Sequence, residues 1–81
     1  MSANAYVLLT VEPARTGEVV DRLRSISGAI VQKVVGPYDV IVGLTSETTV
    51  DITSTVRSQI RAIPGVKSTV TCTLVDGIFG G

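Results

Sequence analysis

The sequence predicts a single α+β domain with the element order βαββαβ. Three observations carry that reading. β-branched and aromatic runs alternate with stretches whose apolar residues recur at helical spacing. A Gly-Pro pair separates the two middle strands as a hairpin would. The chain also repeats itself: Leu23-Arg24-Ser25-Ile26-Ser27-Gly28-Ala29 matches Ile60-Arg61-Ala62-Ile63-Pro64-Gly65-Val66, so each half reads strand, helix, strand.

Residues 5–11, Ala-Tyr-Val-Leu-Leu-Thr-Val, form the first predicted strand, and Glu12-Pro13-Ala14 ends it. Thr16 is a candidate N-cap, with Glu18 placed to favour the helix dipole. Val19, Val20, Leu23 and Ile26 make one apolar helical face, and Gly28 stops the helix. Residues 29–35 and 39–45 are the second and third strands around the Gly36-Pro37-Tyr38 turn. Thr48 and Asp51 form a helix start signal close to a capping box. Ile52, Val56, Ile60 and Ile63 follow at helical spacing, and Pro64-Gly65 ends the second helix. Residues 66–75 are the fourth strand, and residues 76–81 are a tail.

Two interleaved right-handed βαβ units give one four-stranded antiparallel sheet with both helices on one face, the ferredoxin-like fold. Alternation along the last strand puts Val66, Ser68, Val70, Cys72 and Leu74 under the helices. Lys67, Thr69, Thr71, Thr73 and Val75 then line the open face. The first and third strands are apolar on both sides, unlike a solvated antiparallel sheet. The open face is therefore expected to pack on a second copy.

Composition agrees. The chain has 81 residues and 44% hydrophobic content, with a mean hydropathy of +0.46. A domain this small buries only about 60–65% of its unfolded surface and gains from added support. With one cysteine and no histidine, neither an internal disulfide nor a Cys/His zinc site is available. Self-association is the remaining route.

Seven basic and seven acidic residues give zero net charge, and the basic residues are scattered, so no nucleic-acid surface is expected. No apolar run approaches a membrane span. The N-terminal residues do not resemble a signal peptide, so the expected location is the cytoplasm.

Enzymatic apparatus is thin. The commonest general base is missing with histidine, and no two carboxylates share a catalytic or metal-binding spacing. No Gly-x-Gly-x-x-Gly or Walker-type loop occurs. Neither catalytic residues, a metal nor a cofactor is expected. Cys72 reads as a buried small hydrophobe, and Tyr6 as core or interface packing.

The most suggestive local feature is Gly36-Pro37-Tyr38-Asp39. In its plain reading, Gly and Pro make the turn and Asp39 bonds backbone amides. In its functional reading, Asp39 takes an ammonium group and nearby free amides take a carboxylate. Hydroxyls of Thr69 and Thr71 could complete a site for a zwitterion.

Three segments together resemble one family. They are Tyr6-Val7-Leu8-Leu9-Thr10-Val11-Glu12-Pro13, Gly36-Pro37-Tyr38-Asp39-Val40-Ile41-Val42, and Ile60-Arg61-Ala62-Ile63-Pro64-Gly65-Val66-Lys67-Ser68-Thr69-Val70-Thr71. The chain is similar over nearly its whole length to the effector-binding (RAM) domain of the Lrp/AsnC regulators. The resemblance implies dimers paired through their sheets, assembly into octamer-like rings, and amino acids bound between dimers. It points to Gly36, Pro37, Tyr38 and Asp39 of the turn and to Ser68, Thr69 and Thr71 of the last strand as effector-binding residues.

Those regulators carry an N-terminal helix-turn-helix domain, for which residues 1–4 leave no room. The expectation is thus a stand-alone version of the domain. It would modulate transcription indirectly, by binding an amino acid or by co-assembling with full-length relatives, without touching nucleic acid. The alternatives are an assembly module without a ligand and, less favoured, an enzyme of the dimeric α+β barrel kind.

Overall fold

The computed structural model describes residues 3–74. The predicted tail, and Val75 expected on the open face, lie outside the described residues.

The strands are β1 (Ala3–Val11), β2 (Ile30–Lys33), β3 (Val40–Ser46) and β4 (Val66–Thr73). They form one antiparallel sheet in the order β2-β3-β1-β4. Helix α1 (Thr16–Arg24) follows a 3-10 turn at Pro13–Arg15. Helix α2 (Thr49–Thr55) runs into a π-helical turn at Val56–Ile60. This is the ferredoxin-like βαββαβ fold, as the repeat predicts.

One face of the sheet and the inner faces of both helices make the core. Ala5, Val7, Leu9 and Val11 of β1 and Val40, Val42 and Leu44 of β3 are buried. They pack with Val19, Val20 and Leu23 of α1 and with Ile52, Val56 and Ile60 of the second helical segment. Those helical residues are the ones that the apolar periodicity selects.

Helix starts and stops follow local chemistry. The Thr48 hydroxyl accepts the Asp51 amide at 3.1 Å, satisfying an orphan donor at the start of α2. Thr16 does not cap α1. Its hydroxyl donates back to the Pro13 carbonyl at 3.1 Å, because the 3-10 turn already supplies the entry geometry. The repeat is visible in the backbone. Ile26 and Ala29 amides donate to Leu23 and Ile26 carbonyls, and Ile63 and Val66 amides donate to Ile60 and Ile63 carbonyls. The helices end before the glycines expected to stop them, at Arg24 and Ile60, with Ser25 and Arg61 as right-handed C-caps. Gly28 (φ 80°) and Gly65 (φ 104°) take the left-handed conformation in the turns that follow and lead into β2 and β4.

The facing of the last strand is the reverse of the expected one. Thr69, Thr71 and Thr73 pair with the buried Leu9, Val7 and Ala5, so they lie on the helix side. Ser68, Val70 and Cys72 pair with Thr10, Leu8 and Tyr6 on the open side. The cause is a register shift. Val11 pairs with Val66 but Thr10 pairs with Ser68, which leaves Lys67 as an extra residue. A bulge of this kind resets the period-two alternation, so parity counted from Val66 inverts beyond it. Cys72 is accordingly exposed, not a buried hydrophobe.

Candidate functional site

Residues 34–39 join β2 to β3. The Val34 amide donates to the Asp39 carbonyl at 2.9 Å, closing the connection. Asp39 then ties this loop to β1 twice. Its amide donates to the Leu9 carbonyl at 2.8 Å, and its Oδ2 accepts the Val11 amide at 2.9 Å. The β1–β3 register ends at Leu9 opposite Val40, so the carboxylate satisfies the next amide of β1 after the ladder stops. That is the plain structural role anticipated for an aspartate here. It engages one carboxylate oxygen, while Asp39 as a residue stays exposed. Gly36 and Pro37 are exposed and Tyr38 is half-buried.

The hydroxyls singled out on the last strand divide between two faces. On the open face, the Ser68 hydroxyl bonds the Thr10 hydroxyl across the β1–β4 ladder. On the helix face, Thr69 and Thr71 line a groove of about 200 Å³ with Thr53, Val56, Arg57 and Arg61. Asp39 and Thr69 flank Leu9 from opposite sides, about 10 Å apart as two ladder spacings. The turn and the strand hydroxyls thus sit at one end of the sheet. Within one protomer, the turn residues are not among those lining the Thr69–Thr71 groove.

The open face is more apolar than expected, because the inverted parity brings Val70 and Cys72 onto it in place of the threonines. Tyr6 (49% exposed), Ile30 (69%) and Val70 (41%) stand on this face. Leu8 and Ile41, opposite each other, lie between them. Gly43 leaves room for the Tyr6 ring, whose Cε1 would lie 3.6 Å from a Cβ added there. Ile30, Gln32 and Ile41 border the same shallow cavity of about 200 Å³. Polar pairs frame the patch. The Thr45 hydroxyl donates to Asn4 Oδ1 at 2.9 Å at one end, and Thr10 and Ser68 close the other.

Sequence reasoning passed over Arg57 and Arg61 as scattered basic residues. Their spacing of four on the second helical segment was the available signal, since it places both on one side. Among the described residues, no group of metal-ligating side chains occurs, and no helix is long and apolar enough to cross a membrane.

No protein-family model matches the chain, and no curated protein matches it. Solved structures do. FFRP-DM1 is 24% identical with a TM-score of 0.84, over 90% of this chain and 99% of that one. Escherichia coli AsnC superposes with a TM-score of 0.84 at 13% identity, over 94% of this chain and 52% of AsnC. The transcriptional regulatory protein PF0864 from Pyrococcus furiosus, a member of the AsnC family, gives 0.70 at 16% identity, over 95% of this chain and 55% of that one. This chain therefore has the fold of a domain that spans about half the length of AsnC-family transcriptional regulators.

Proposed function

We propose that this chain is a non-catalytic regulatory domain that pairs through its open sheet face and binds an amino acid where paired units meet. The observation that carries the reading is the uncovered apolar face of Tyr6, Leu8, Ile30, Ile41 and Val70. Contiguous exposed apolar surface on a small domain marks an interface, and a second copy offers a matching patch. The shared fold with AsnC-family regulators supports the regulatory role.

In this reading, the Asp39 oxygen not used by Val11 takes the ammonium group of the ligand. Amides of the Gly36–Tyr38 segment take its carboxylate. Hydroxyls such as Thr69 and Thr71 come from a neighbouring subunit, since those of the same protomer lie across the sheet. The dimers build a higher, octamer-like ring. The domain acts in the cytoplasm on transcription indirectly, including by co-assembly with full-length regulators.

Sedimentation of the protein with and without each amino acid tests this, together with calorimetry. The expected result is a dimer or larger at micromolar concentration, and one or a few amino acids that bind and shift the assembly. A monomer under those conditions sinks the reading.

A second reading, an assembly module without a ligand, is favoured by one observation. Asp39 already has a structural task in holding Val11. Calorimetry showing a stable oligomer and no heat with any amino acid at millimolar concentration selects it.

A further inference from the structure

Two backbone irregularities lie on either side of one trough. The first is the π turn, in which the Arg61 amide donates to the Val56 carbonyl at 2.9 Å. The second is the bulge that leaves Lys67 as an extra residue in β4. Both interrupt regular hydrogen bonding, and both devices are found preferentially at functional sites, where they re-aim side chains. Here they flank the residues of two adjoining cavities, one on the helix side of β4 and one at its bulged end. One, of about 200 Å³, is lined by Thr53, Val56, Arg57, Arg61, Thr69 and Thr71. The other, of about 400 Å³, is lined by Arg61, Val66, Lys67, Ser68 and Thr69, with the Ser68 hydroxyl already bonded to Thr10 on the open face. Arg61 and Thr69 line both, so the two cavities are neighbours and are taken together as two lobes of one trough.

The trough has a single sign. No carboxylate lines either lobe. Among the described residues, the ion pairs are those of Arg15 with Glu12 and Glu18, so Arg57, Arg61 and Lys67 are not neutralised there. Guanidinium groups present planar donor forks that match carboxylate and phosphate oxygens, and hydroxyls add donors that adapt to either. The size of the trough falls in the range of small-molecule sites.

We propose that this trough binds a small molecule carrying two anionic groups, phosphate or carboxylate, one in each lobe with Arg61 between them. Arg57 and Arg61 hold the group beside Thr53 and Thr71. Arg61 and Lys67 hold the group in the other lobe, beside Thr69. This site uses none of the turn residues 36–39. Thr69 and Thr71 are also the hydroxyls that the proposed amino-acid site takes from a neighbouring subunit, but the anion contacts rest on Arg57, Arg61 and Lys67, which that site does not use.

Calorimetry and thermal-shift measurements at fixed ionic strength test it with pyrophosphate, succinate and acetate. Pyrophosphate or succinate is expected to bind, and whichever binds tighter identifies the anion class. Acetate, with one charge, is expected to bind at least about tenfold more weakly. Arg61→Gln is expected to weaken the dianion at least about tenfold, the scale of a lost charge-assisted hydrogen bond. Arg24→Gln removes the same charge from the exposed side of α1 and is expected to leave binding intact. The proposal is overturned if neither dianion binds at millimolar concentration, if acetate binds equally well, or if Arg24→Gln weakens binding as much as Arg61→Gln.

Discussion

The carboxylate of Asp39 accepts the backbone amide of Val11 at 2.9 Å, across the point where β1 and β3 stop pairing. The side chain proposed to hold a ligand's ammonium group therefore also holds the sheet. The proposed ligand role and the observed structural role fall on one residue, and conservative replacement separates them.

Asp39→Asn keeps an oxygen for the Val11 amide and removes the charge. Asp39→Ala removes both. The alanine variant is expected to lose about 1–2 kcal/mol of stability, the scale of a hydrogen bond whose donor loses its partner. The asparagine variant should lose less than half of that by urea unfolding. Both variants should weaken amino-acid binding by about 1.5–3 kcal/mol, as the loss of a charge-assisted contact requires. Wild-type affinity in Asp39→Asn, measured by calorimetry, would remove Asp39 from the ligand site and leave it the structural task alone.

Gly65 is fixed by two constraints at once. Its φ is 104°, and a Cβ there would sit 2.9 Å from Arg15 Cβ and 3.0 Å from Val19 Cγ2. Its carbonyl also accepts the Glu12 amide at 2.8 Å, which ties the end of the second helical segment to the end of β1. Gly65→Ala combines a left-handed backbone penalty with overpacking and is expected to destabilise by about 2–4 kcal/mol. Gly17→Ala makes the contrast, since nothing lies within 4 Å of that position inside α1. There, helix propensity predicts a change from neutral to a gain of about 1 kcal/mol. Chemical denaturation of the two variants should give shifts of opposite sign, or at least a gap of about 2 kcal/mol. Equal midpoints would refute the close packing of Gly65 on α1.

Most of the fold was legible because its signals are local and redundant. The helix faces at Val19, Val20, Leu23 and at Ile52, Val56, Ile60 are buried as their spacing predicts. The two repeat glycines, Gly28 and Gly65, both take positive φ, though in the turns after the helices and not at the helix ends. The facing of β4 was not legible, because the bulge at Lys67 depends on how β4 meets β1 and leaves no mark in the alternation of β4 alone. One extra residue moved Thr69 and Thr71 to the helix side and exposed Cys72. The candidate site was legible as a set of residue types at one end of the sheet. Its division between the turn and the α2–β4 groove was not, since that follows from the strand order β2-β3-β1-β4 and from the bulge together.

Val70 sits beside Leu8 on the open face and is 41% exposed in the protomer. A lysine at this position keeps its stem on the sheet and its ammonium in solvent, so the protomer should lose little stability, within about 0.5 kcal/mol. In a paired state the same charge would be desolvated without a partner. Val70→Lys is therefore expected to convert the oligomer into a folded monomer, read by sedimentation and by an unchanged far-ultraviolet spectrum. An oligomer of unaltered mass would show that assembly uses another surface.

Cys72 gives an independent reading of the same face. It stands opposite Tyr6 on the open side of β4 and is exposed in the protomer. A thiol buried under the helices would react with an alkylating reagent only on unfolding, in any assembly state. A thiol on the pairing face is covered in the oligomer and open in the monomer. Alkylation should thus be slow in the wild type at high protein concentration, faster on dilution, and fast in Val70→Lys at every concentration. Rapid labelling of the concentrated wild type would mean that the face is uncovered, and slow labelling of the monomeric variant would return Cys72 to the interior. Because the rate depends on protein concentration only when pairing covers the thiol, the dilution series separates protection by assembly from protection by the fold.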